Sequence, residues 1–118
     1  MLLRVYVQPH DEFERWVRRQ QQTPQSAALS PGQRVFESTA CVNCHTISGT
    51  PAKGRFGPDL THIMSRDTIA AGVVSNTPQQ LRLWIKNPDA IKPGSKMPAM
   101  GLTDQDVDAV ATYLEALR

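Results

Sequence analysis

Two cysteines stand three positions apart with a histidine directly after the second: Cys41-Val42-Asn43-Cys44-His45. They are the only cysteines in the chain. Nothing else in the sequence constrains the fold as tightly, because few chemistries use this spacing. Two thiols so placed can add across two vinyl groups of one porphyrin, and the next imidazole reaches the iron from the same side. This is the attachment signature of a c-type haem. The other readings are a zinc site and a thiol redox pair. Zinc needs four ligands, and no second cysteine pair or closely spaced histidine pair is present, since His10 and His62 are far apart. A redox dithiol ordinarily follows a strand, whereas a helical pattern leads into this motif. A disulfide-stapled fold would spread more cysteines along the chain.

Composition agrees with a cofactor at the centre. A chain of 118 residues fits one domain of ordinary size, and 40% of it is hydrophobic. Only three Phe, two Trp and two Tyr contribute aromatic bulk, which is thin for an unaided core and leaves room for a large non-protein group. Thirteen basic and eleven acidic side chains give a net charge of +2, too balanced to argue for nucleic acid. No apolar run approaches the roughly 18 residues of a membrane-spanning helix. The opening Met-Leu-Leu-Arg-Val-Tyr-Val lacks the parts of a signal peptide.

The local pattern predicts an all-α chain with one short strand. Residues 2–8 alternate as a strand would, with Leu3, Val5 and Val7 on one side, and Pro9 stops it. Asp11, Glu12 and Glu14 then place negative charge at the start of a helix, where the dipole favours it. Phe13, Trp16, Val17 and Gln20 share one face of that helix. Residues 23–29 read as a flexible connector and a boundary. Ser30-Pro31-Gly32-Gln33 is a strong helix start. A Gly- and Pro-rich loop is expected from Ser48 to Pro58, a helical turn over 59–66, and no clear state over 67–76. Thr77-Pro78-Gln79-Gln80 repeats the capping logic, with Leu81, Trp84 and Ile85 as the buried face and an end before Pro88. Pro93-Gly94 is a turn. Thr103 caps a last helix whose apolar stripe is Val107, Val110, Ala111, Leu114 and Leu117, with Tyr113 on its flank. Four or five helices are expected.

A haem iron held by His45 needs a ligand on its other side. Met97 lies in Lys92-Pro93-Gly94-Ser95-Lys96-Met97-Pro98, between two predicted helices. A thioether opposite an imidazole raises the reduction potential and suits electron transfer. Met100 competes, three residues on, and His62 is a further candidate, while Met64 reads as core filler. Pro58 offers a rigid carbonyl to the second nitrogen of His45, which would fix the ring; an ordinary loop proline is the plainer reading.

These residues together resemble a class I cytochrome c. The resemblance runs over residues 31–117 and rests on Gly32-x-x-x-Phe36, Cys41 to His45, Gly57-Pro58-Asp59-Leu60, Asn87-Pro88, Lys92 to Met97, and Tyr113-Leu114. It implies a fold of four to five helices around one covalent haem c, with Cys41, Cys44, His45, Pro58, Arg66, Trp84 and Met97 as cofactor-binding residues. His45 and Met97 would be the iron ligands. It also implies that the first and last helices cross at Gly32, beside Phe36 and Tyr113, and that Trp84 lies near the haem and the Met ligand.

Residues 1–22 resemble something else: the tail of the cupredoxin domain in subunit II of haem–copper cytochrome c oxidases, with Met1 spaced from Phe13 and Trp16 as a copper ligand is. Such a tail joined to a cytochrome c, over residues 30–118, is the layout of caa(3)-type oxidases. Thr46 to Thr50 and Thr68 to Gly72 look like that group too. The Cys, His and Glu ligands of a dinuclear copper centre are absent, so the sequence reads as a piece of a longer subunit that binds no copper itself. The implied partners are the copper domain, subunit I and an external electron donor, and the implied location is the periplasm or outer face of the bacterial cytoplasmic membrane. A free-standing soluble cytochrome c and a haem enzyme or sensor with an open sixth position are the alternatives.

Charge is uneven along the chain. Residues 53–96 hold seven basic side chains (Lys53, Arg55, Arg66, Arg82, Lys86, Lys92, Lys96) against three acids. Residues 101–118 hold four acids against Arg118. Arg55 or Arg66 could neutralise the haem propionates, and the lysines could steer an acidic donor.

Overall fold

The computed structural model describes residues 4–23 and 30–118. Among them are six helices and one small two-stranded sheet. α1 spans His10–Gln21, α2 Pro31–Ser38, α3 Cys41–Cys44, α4 Pro78–Lys86, α5 Pro88–Ile91 and α6 Asp104–Glu115. A 3₁₀ turn covers Ile63–Ser65, and β1 (Thr68–Ile69) pairs antiparallel with β2 (Val74–Ser75).

Each long helix of the haem-motif region starts on the cap that its sequence offers. The Ser30 hydroxyl accepts from the Gln33 N–H at 3.1 Å, Thr77 from Gln80 at 3.2 Å and Thr103 from Asp106 at 3.1 Å. Pro follows at the first helical position of α2 and α4, where its missing N–H costs nothing. Asn87 stops α4 and its side chain accepts from Ala90 to start α5.

α6 is the spine of the core. It packs against α2 on one side and α4 on the other. Val107, Val110, Ala111, Leu114 and Leu117 are buried as its stripe predicts, and each large one stabilises the fold by about 1.5–3 kcal/mol through burial. At the α2 crossing there is no room for a side chain: a Cβ on Gly32 would lie 1.9 Å from the Ala109 carbonyl oxygen. Phe36 and Tyr113 meet edge-on beside it, with ring centroids 6.0 Å apart.

Four expectations need correction. Residues 4–8 form no strand, and Val5 and Val7 are 79% and 94% exposed. An alternating row becomes a strand only when a second strand takes up its hydrogen bonds, and no such neighbour is present among the described residues. Residues 1–3 and 24–29 lie outside the described set, and with them the start of that predicted strand and most of the connector. The strands that do form are in the ambiguous stretch 67–76, where Ala70, Ala71 and Gly72 all take positive φ to turn the chain. Tyr113 is buried at 5% rather than flanking, because the missing Gly32 side chain lets α2 come close. α5 is a helical turn that the sequence reading passed over. α1 forms as expected, but it buries none of its residues, and Phe13 and Trp16 stack on each other half-exposed.

Candidate functional site

α2 stops at Ser38, and the chain turns at Thr39 and Ala40 into the single turn α3. That turn brings both cysteines to one short element and delivers His45 immediately after it. Cys41 and Cys44 are free thiols, each partly exposed. Thr39 Oγ1 lies 3.1 Å from Cys41 Sγ. The His45 backbone N–H donates to the Cys41 carbonyl at 3.0 Å, closing the turn.

His45 is 8% exposed, and two neighbours from the following loop fix its ring. Its Nδ1 is 2.8 Å from the Pro58 carbonyl oxygen. A carbonyl can only accept, so Nδ1 carries the proton, and in the neutral imidazole this leaves the lone pair on Nε2. That is the tautomer of a metal-ligating imidazole. Gly57 lies against the ring, where a Cβ would come within 2.6 Å of Cε1. The loop is anchored to the motif at three points: Gly54 donates to the His45 carbonyl at 3.0 Å, Gly57 to the Cys44 carbonyl at 2.6 Å and Leu60 to the Thr46 carbonyl at 2.8 Å. Gly54 also needs its hydrogen side chain, since a Cβ would meet the Asn43 carbonyl at 2.5 Å. Free paired thiols, an oriented imidazole with an open nitrogen, and glycines where the loop closes on it fit a covalently held haem.

The other predicted residues have the following surroundings. Pro58 supplies the carbonyl that the sequence suggested. Arg66 is exposed, and its guanidinium donates to the Asp59 carbonyl, one residue from Pro58. Trp84 is partly buried against the core. Met97 and Met100 are both half-buried on the stretch between α5 and α6, and the Met97 N–H donates to Ser95 Oγ at 3.2 Å. Met64 packs against the core as filler would. His62 donates from Nδ1 to the Arg118 carbonyl at 2.8 Å, and its Nε2 is buried without a partner among the described residues.

Gly54 was missed as a site residue and Gly57 entered only as part of the Gly57-Pro58-Asp59-Leu60 motif, because what demands a glycine at each is the approach of a distant backbone or ring. The basic run also changes in meaning. Arg82 pairs with Asp108 at 3.0 Å and Glu115 at 2.7 Å, and Lys86 with Asp104 at 2.5 Å. These cations join α4 to α6. Among the described residues Lys53, Arg55, Lys92 and Lys96 form no ion pair; they sit on the loop that anchors His45 and the loop that carries Met97.

Comparison with known proteins agrees with this geometry. The chain is 32% identical over 112 residues to cytochrome c oxidase subunit 2 of Alkalihalophilus pseudofirmus, covering 92% of this chain and 32% of the relative. It is 30% identical over 119 residues to the protein of that name from Bacillus sp. PS3, covering 93% of this chain and 33% of the relative. The chain thus spans about a third of the length of these two relatives. A nitric oxide reductase subunit from Paracoccus denitrificans is 31% identical over 84 residues, 70% of this chain and 54% of the relative. The cytochrome c family model matches residues 29–118. Since that match takes in α2 to α6 and every residue that orients His45, the chain belongs to the cytochrome c family, whose cofactor is a covalently bound c-type haem.

Proposed function

We propose that this cytochrome c is the electron-entry module of a caa(3)-type haem–copper oxidase, taking electrons from an external donor and passing them to a dinuclear copper centre. The observation that carries the electron-transfer part is the 2.8 Å bond from His45 Nδ1 to the Pro58 carbonyl. It holds the imidazole in one tautomer and one orientation, so the ligand need not rearrange between redox states. Cys41 and Cys44 would form the two thioether links, each thiol adding its S–H across a vinyl double bond. His45 Nε2 and Met97 Sδ would be the axial ligands. Haem c supplies a reversible one-electron store when bound. Arg66 or Arg55 would balance the propionate charge, and Trp84 would pack near the cofactor.

The oxidase assignment is supported by the subunit 2 relatives, whose matches reach further along this chain than the family model does and so take in part of the N-terminal segment. Under this reading residues 1–22 are the tail of the copper domain, residues 23–29 the linker and residues 30–118 the cytochrome. The partners are then the copper domain, subunit I and an external donor, in a membrane-associated complex at the periplasmic or outer face. No helix among the described residues is long and apolar enough to cross a membrane.

Rapid mixing of the reduced chain with an oxidised dinuclear-copper domain tests the proposal. Loss of the reduced haem band should match copper reduction one for one; no transfer, with the haem intact, contradicts the oxidase role. Carbon monoxide separates the enzyme or sensor reading. The ferrous protein should resist it, whereas Met97→Ala should bind it at once.

A further inference from the structure

Asp67 gathers two side chains from the far end of the chain. Arg4 Nη1 lies 3.3 Å from Asp67 Oδ2, and the Tyr6 hydroxyl donates to the same oxygen. Arg4 and Tyr6 are two apart, so in an extended segment both project to one side. Val5 and Val7 project to the other side, where they are largely exposed. The segment therefore has a polar face turned to the cytochrome and an apolar face turned away. α1 buries none of its residues, so apolar packing does little to hold this segment in place.

Asp67 stands at a particular corner. Its neighbour Arg66 reaches the Asp59 carbonyl, and the carbonyl before that one, on Pro58, accepts the hydrogen bond from His45 Nδ1. The Asp67 carbonyl accepts from the Asn76 N–H at 2.9 Å, and Asn76 Nδ2 donates to the Ile63 and Arg66 carbonyls at 2.8 and 2.9 Å. The corner is braced from within, while its carboxylate points to solvent and to the N-terminal segment.

We propose that Asp67 is the receptor of a latch: Arg4 and Tyr6 dock the N-terminal segment on the corner beside the haem site and so set the orientation of the cytochrome relative to the domain that segment belongs to. That a further domain is oriented, and its meaning for electron exit, rest on the oxidase reading above; the docking of residues 4–8 on Asp67 does not. Both charged partners are well exposed, with side chains at 44% and 60%. Such a contact is weak and salt-sensitive. Two contacts of this kind raise the docked-to-free ratio by about threefold to tenfold at low salt.

The ferric haem of the intact chain is its own probe, because its unpaired spin displaces the amide resonances of any group held rigidly to it. Comparing ferric with ferrous protein, the amides of residues 5–8 should show displacements that fit the same magnetic tensor as residues 30–118. Asp67→Ala should shrink those displacements, by about twofold where the docked-to-free ratio falls from about ten to about one, as should salt, while the displacements of α2 to α6 stay unchanged. The combined change Arg4→Gln and Tyr6→Phe should do the same from the other side, leaving the corner untouched. Displacements near zero in the unaltered protein, or unchanged in Asp67→Ala, would overturn the latch. Neither result bears on transfer to the copper domain, which the rapid-mixing experiment reads separately.

Discussion

His45 shows how few contacts are needed to hold a flexible side chain in one orientation. One carbonyl, on Pro58, sets its tautomer, and one absent side chain, at Gly57, leaves room for its ring. Gly57→Ala would push a methyl group to within 2.6 Å of Cε1 and 2.8 Å of Nδ1. Displacing an imidazole from its hydrogen-bonded position weakens metal binding by about 10- to 100-fold. The variant should therefore mature with less haem and show a partly high-spin ferric spectrum, which absorption spectroscopy and haem quantitation will read. The Cys41–His45 motif was legible from sequence because its spacing is local. The Pro58 carbonyl was legible because a proline thirteen residues on, in a tight loop, is a natural acceptor for the ring. Gly57 as a steric gap and Asp67 as a receptor were not, since each answers to a group whose nearness only the tertiary fold creates.

At the level of elements, the contact between α2 and α6 carries most of the specificity. Gly32→Ala places a Cβ 1.9 Å from the Ala109 carbonyl oxygen and 2.8 Å from Tyr113 Cβ. Both obstacles are fixed, so the helices must move apart, at a cost of about 2–3 kcal/mol; denaturant unfolding of the variant and the parent measures it. Tyr113, drawn into that crossing, has its pKa raised above the usual tyrosine value, mainly by burial and secondarily by the Glu37 carboxylate. A raised value in the folded state means that the neutral phenol favours folding. This stabilisation is complete below about pH 10 and is lost as pH rises through the folded-state value. Unfolding measured at about pH 9 and about pH 11 should show the parent weakening more than Tyr113→Phe. Helix starts were readable in the sequence because Ser30, Thr77 and Thr103 do their work within three residues. The same logic applied to Asn87-Pro88 would have found α5. The strands were misplaced because a strand depends on a partner: residues 4–8 have the alternation without a partner, whereas Thr68–Ile69 and Val74–Ser75 have little alternation but a turn that brings them together.

Across the whole molecule, what matters about charge is which cations remain unpaired. The sequence counted seven basic residues over 53–96, yet Arg82 and Lys86 are engaged with α6 carboxylates. Among the described residues Lys53, Arg55, Arg66, Lys92 and Lys96 form no ion pair; Arg66 donates to the Asp59 carbonyl, and the other four sit on the two loops that flank the candidate ligands. Association with an acidic donor should slow as salt rises. Lys92→Gln and Lys96→Gln should each lower the low-salt rate by about twofold to threefold, and Lys86→Gln should barely change it; stopped-flow reduction over a range of ionic strengths separates them. The proposed site holds an iron between His45 and a methionine sulfur, with that sulfur on Met97. The most direct measurement is the sulfur-to-iron charge-transfer band of the ferric protein in the parent, Met97→Ala and Met100→Ala. The band should be present in the parent, absent in Met97→Ala and intact in Met100→Ala; a band that survives Met97→Ala, or that vanishes only in Met100→Ala, would contradict the account.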